Sequence, residues 1–142
     1  MSDVGIDVKI KLVSSIIPTE GERETYEMWL TGFLIEKNGS FYLRYEEVQE
    51  EHHIKTTIKL AESKSFIMRN GAVDMRMPLN LTQQERGHYK SPYGELPMTT
   101  KTHELTVNRD NNSGIFKTQY DLIIGGNAVG NYTLDITFTE VQ

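Results

Sequence analysis

Apolar side chains recur at every second position through most of this chain, and that spacing limits its fold more than any other feature. Val4, Ile6, Val8, Ile10 and Leu12 alternate with residues that include Lys9 and Lys11. Ile54, Thr56, Ile58 and Leu60 alternate with Lys55, Thr57 and Lys59, and Leu134, Ile136 and Phe138 with Asp135 and Thr137. A strand turns successive side chains to opposite faces, so each segment has one dry face and one wet face. A longer run, Phe116, Thr118, Tyr120, Leu122 and Ile124, ends at Gly125-Gly126-Asn127, a turn signal. The chain holds only three alanines, few for a helical domain of this size, because alanine is the best helix former. Only Leu81 to Arg86 offers a helical turn.

Two Asn-Gly dipeptides predict strand pairing, because a two-residue type I′ turn sets which residues oppose each other across a hairpin. At Asn38-Gly39 the rule puts Leu34 opposite Leu43, Gly32 opposite Tyr45, Ile35 opposite Tyr42, Phe33 opposite Arg44 and Trp29 opposite Val48. At Asn70-Gly71 it puts Met68 opposite Val73 and Phe66 opposite Met75, and gathers Met68, Met75 and Met77 on one face. The whole reads as about 8–10 short strands at the spacing of sandwiches and barrels. An antiparallel meander with one apolar face per strand can bury that face by curling closed, which removes its exposed edges. The expected fold is all-β, a closed up-and-down antiparallel barrel, with a two-sheet sandwich as the alternative. Without repeat, linker or low-complexity tract, residues 1–142 read as one domain.

Composition removes several function classes. Cysteine is absent, so disulfides, thiolate metal sites and cysteine nucleophiles are excluded. With 15 Lys+Arg against 20 Asp+Glu, net −5, and no basic run, the chain lacks the footprint of a nucleic-acid binder. No apolar stretch is long enough for a secretion signal or a membrane helix, so the expected setting is cytoplasmic, without membrane. The sequons at Asn80, Asn111 and Asn131 then carry no information.

The segment Tyr89-Lys90-Ser91-Pro92-Tyr93-Gly94 followed by Glu95-Leu96-Pro97-Met98-Thr99-Thr100, with Gly114-Ile115, Tyr120-Asp121-Leu122 and the closing Tyr132-Thr133-Leu134-Asp135-Ile136, resembles the YwiB-like family of uncharacterised bacterial β-barrel proteins. The resemblance spans essentially the whole chain. It implies a calycin-like barrel, the shape shared by lipocalins and fatty-acid-binding proteins, in a family without an assigned activity or catalytic residues. True lipocalins carry Gly-x-Trp in their first strand. Here Gly5 is followed by Ile6-Asp7, and the single tryptophan, Trp29, sits in the second strand, so lipocalin ligands do not transfer. Likeness of fold assigns no function by itself.

Candidate chemistry is sparse. Glu46-Glu47-Val48-Gln49-Glu50-Glu51-His52-His53 has the composition of a metal site, but neighbours in a strand point to opposite faces, and the segment reads as a solvated hairpin connection with no metal. No Gly-x-Ser-x-Gly elbow is present, and His52, His53, His88 and His103 have no assignable serine partner. Gly125-Gly126-Asn127-Ala128-Val129-Gly130 lacks the ending of a phosphate loop, and Asp110-Asn111-Asn112-Ser113-Gly114 misplaces the glycine of a calcium loop. No enzyme activity and no cofactor is expected.

Two readings remain. In the first, the barrel binds a small, mainly apolar ligand in its interior. Met28, Met68, Met75 and Met77 would supply an adaptable apolar lining, and Arg44, His88, Tyr89, Tyr93 or His103 polar selection. Ser91-Pro92 holds Tyr89 and Tyr93 near a rim in this reading. In the second, Trp29, Phe33, Ile35, Tyr42 and Val48 stand together on the outer wall as a homodimer or partner surface. Its counter-reading is a bulge at Gly32 that switches faces and turns Phe33 inward.

Overall fold

The structure, a computed structural model, describes residues 4–141. Ten strands follow one another: β1 (Val4–Pro18), β2 (Glu24–Lys37), β3 (Ser40–Gln49), β4 (His52–Lys59), β5 (Lys64–Gly71), β6 (Asp74–Asn80), β7 (Glu85–Ser91), β8 (Gly94–Asp110), β9 (Ser113–Ile124) and β10 (Asn127–Glu140). Each pairs with the next, and β10 pairs with β1, so the sheet closes on itself as a barrel. Closure excludes the two-sheet sandwich. Leu81 to Gln84 is a bend and not a helical turn, and Asn80 Oδ1 holds it by accepting from Thr82 N and Thr82 Oγ1 at 3.0 and 2.8 Å.

The alternation places the core as expected. Val8, Ile10, Leu34, Leu43, Ile58, Leu79, Phe116, Ile136 and Phe138 point inward and are wholly buried. Each such side chain contributes about 1.5–3 kcal/mol on burial. Most of them fill the lower half, below which lie the β2–β3, β4–β5, β6–β7 and β8–β9 connections. Towards the upper rim, formed by the other five connections, inward residues such as Met28, Met75, Tyr89, Ile124, Val129 and Tyr132 are only half-buried.

The hairpin at Asn38-Gly39 forms as read, with Leu34 opposite Leu43 and Gly32 opposite Tyr45 and both turn residues at positive φ. The ladder shows no register shift and Phe33 stays exposed, so no bulge at Gly32 switches faces. Pairing stops at Gly32, however, and Trp29 does not meet Val48. The second hairpin departs further. Met68 lies opposite Arg76 and Arg69 opposite Met75, so its register differs by three residues from the prediction. An odd shift exchanges faces: Met75 and Met77 point inward while Met68 points out. The cause is Gly71, which extends β5 beside Ile54 at φ +121° and lies so close to His53 O that a Cβ would overlap it. The turn therefore falls after it, at Ala72-Val73.

Two seams interrupt the wall. Strands β6 and β7 pair only over Asp74–Arg76, and side chains from β8 close the rest: Thr100 Oγ1 donates to Pro78 O at 2.6 Å, and Asn80 N donates to Thr102 Oγ1 at 3.2 Å. The other seam lies between β2 and β3 above Gly32. There β2 pairs with β1 as far as Glu24 and β3 with β4 as far as Gln49, while no ladder joins them to each other. The result is a notch open towards the upper rim.

Candidate functional site

One inward-facing row runs around half the barrel: Tyr45 pairs with Thr56, Thr56 with Arg69, Arg69 with Met75 and Met75 with Tyr89. Tyr120 and Tyr132 pair on the opposite wall, their rings stacked 5.4 Å apart. Together they form a belt of four phenols, a guanidinium and a thioether across the lumen, above the packed lower core. Glu47 stands two residues above Tyr45 on the same face, 9% exposed, and its Oε1 lies 3.6 Å from Arg69 Nη2.

Charges turned into a barrel are costly unless paired. Here the pair is loose, beyond ordinary hydrogen-bond length, and Arg69 keeps 30% of its side chain exposed. Burial pushes the Tyr45 phenol well up, and Glu47 pushes it further, while Arg69 pulls it back. Tyr120 is also raised, by burial and then by Tyr132, with Arg69 acting in the opposite sense. The guanidinium on β5 thus acts on phenols of both walls. Thr56 Oγ1 is fully buried in the middle of the row and makes no geometrically sound hydrogen bond. A buried hydroxyl left so is uncommon. At this level the lumen offers phenol and guanidinium donors, one carboxylate and the apolar flanks of Met28 and Met75.

The sequence-predicted residues divide. Met28, Met75, Met77 and Tyr89 face the lumen, Met77 within the packed core. Met68 and Arg44 lie on the outer wall, where Arg44 Nε donates to Thr57 Oγ1 at 3.3 Å. His88 is exposed, because Tyr89 takes the inward position. His103 is also outside, its Nε2 2.8 Å from Asp121 Oδ2; hydrogen bonds from Asn131 and then His103 hold that carboxyl below its usual range. Tyr93 stands 99% exposed at the upper rim, so it does not join Tyr89. The Pro turn separates the two phenols. His53 Nδ1 meets Glu46 Oε1 at 2.6 Å outside, and among the described residues no three His, Asp or Glu gather around a common point.

The interface candidates also divide. Trp29, Phe33 and Val48 are exposed, Trp29 by 70%. Ile35 is buried on the outer face beside Phe33, and Tyr42 is half-buried against Phe66, 6.1 Å between ring centroids. Two outer grooves of about 580 and 520 Å³ flank β2 and share Thr31 and Glu46. Arg69 was not singled out from the sequence, while Thr56 was read only as part of an alternating strand and Glu47 only as part of a solvated connection. Their signal was parity: Glu47 continues the stripe of Leu43 and Tyr45, and Arg69 that of Ser65 and Ile67.

Fold and interior define a closed ten-strand antiparallel barrel with a polar belt above a packed floor. The family described as a domain of unknown function (DUF1934) matches residues 10–136. The chain belongs to that family. It is 30% identical over 126 residues to the uncharacterized β-barrel protein YwiB of Bacillus subtilis (strain 168), covering 89% of each chain. The crystal structure of the ywiB protein from Bacillus subtilis superposes with a TM-score of 0.86 at 27% identity, over 97% of this chain and 94% of that one.

Proposed function

We propose that this protein binds, without catalysis, a small, mainly apolar ligand with one polar end in the upper half of its barrel. The observation that carries the reading is the inward-facing, loosely paired Arg69 among the phenols of Tyr45 and Tyr120. A barrel needing only a core would fill these positions with apolar residues, as it does below. Half-buried Met28, Met75, Ile124 and Tyr132 supply an adaptable apolar surround. Access is from the upper rim.

Calorimetry with octanoate and with octanol as probes tests the reading. Saturable heat is expected for wild type. Arg69→Met should weaken octanoate about tenfold, as loss of one charge-assisted hydrogen bond does, and Phe33→Ser on the outer wall should leave binding unchanged. Absence of saturable binding of either probe, or equal loss in both variants, would sink the reading.

A further inference from the structure

The β2–β3 notch leaves a strand edge open. Across a two-residue hairpin the hydrogen-bonded pairs alternate, so from Lys37 and Ser40 upward it is the odd-numbered residues of β2 that turn their N–H and C=O towards β3. Above the end of the ladder these are Thr25, Glu27 and Trp29, and among the described residues the β2–β3 ladder does not reach them. The even-numbered residues are committed to β1. At the β6–β7 seam this chain meets the same problem with the threonines of β8. At the β2–β3 notch no side chain of the described residues takes that role, and a proline, a lysine or a bulge, common protections of a free edge, are missing from Glu24 to Thr31. Trp29 and Val48 stand exposed on the two lips.

We propose that the open edge of β2 pairs antiparallel with the same edge of a second copy of this chain, about a two-fold axis at Met28. The occupant follows from self-complementarity. With the axis at Met28, Trp29 lies opposite Glu27 of the second copy and Thr31 opposite Thr25, all on the outer face, while Leu30 lies opposite Tyr26 on the inner face. No like charges are opposed, a threonine pair and an aromatic contact are made, and the contact is isologous, as a closed dimer requires. An axis at Glu27 would oppose two carboxylates. The Lys11–Glu27 ion pair, 3.3 Å, lies beside the seam and leaves Glu27 neutralised there. In this arrangement the β2 strand of the second copy lies along the notch and pairs with the free edge there. The pairing stands whether or not the interior binds a ligand.

Sedimentation velocity of the full chain tests it. Wild type is expected to be a dimer at about 100 µM. Trp29→Glu sets carboxylates against Glu27 twice per dimer and should raise the dissociation constant about tenfold or more. The double variant W29E/E27K restores opposite charges in that register and should reassociate. Circular dichroism and urea unfolding check that each variant is folded. A monomeric wild type at that concentration overturns the proposal. So does a dimer indifferent to Trp29→Glu, or one lost in the single variant and not regained in the double.

Discussion

Tyr45 and Tyr120 show how the lumen controls chemistry one side chain at a time. Both phenols are raised chiefly by burial, so the folded chain retains protons that the unfolded chain releases above about pH 10. Their contribution to stability is therefore complete below that pH and is lost progressively as pH rises from there through the raised values of the folded phenols. Urea midpoints should fall on the alkaline side and fall less steeply in Tyr45→Phe and Tyr120→Phe. Ultraviolet titration of the native protein gives an independent reading. Tyr45 and Tyr120 should keep their protons until the chain unfolds, and ionisation of these two phenols in the folded protein would refute the assignment. Arg69 and Glu47 belong to the same group. Each sits at inward parity in an otherwise apolar or neutral stripe, the one trace they leave in the sequence. That trace is easily passed over, because a charge in Glu46 to His53 reads as part of a solvated turn.

The two Asn-Gly hairpins differ in what their glycine does. Gly39 is a turn residue with open space around the position of a Cβ, so the two-residue rule holds and the β2–β3 register follows from the sequence. Gly71 instead lets β5 run close against His53, and the turn moves beyond it. Composition alone cannot tell these uses apart, which is why Met68 was read as a lumen residue and lies outside. Gly71→Ala should cost about 2–3 kcal/mol, combining positive φ with a backbone overlap, and Gly39→Ala about 1 kcal/mol from φ alone. Urea unfolding of both variants checks the order, and equal losses would count against the close approach. The notch has a similar origin. Hairpin rules say where pairing starts at Asn38-Gly39, but its end at Gly32 depends on how two long strands diverge around a closed wall.

Across the described residues, alternation translates into closure: strands with one dry face and no helix among them to cover it bury that face most completely by joining first to last. The barrel and nearly all of its packed floor were for that reason accessible from the sequence. The polar belt above it was not. It draws on β3, β4, β5, β6, β7, β9 and β10, and only the closed register sets Tyr45, Arg69 and Tyr120 facing one another. Trp29, 70% exposed on the outer wall, is a poor reporter of that space, whereas the methionines sample both sides of the wall. The most direct measurement is a titration of methionine methyl-labelled protein with octanoate, followed by NMR. Saturable shifts are expected at Met28 and Met75, which face the lumen, with Met68 on the outer wall unmoved. Shifts confined to Met68, or no saturable shift at any methionine, would contradict a ligand chamber above the packed floor.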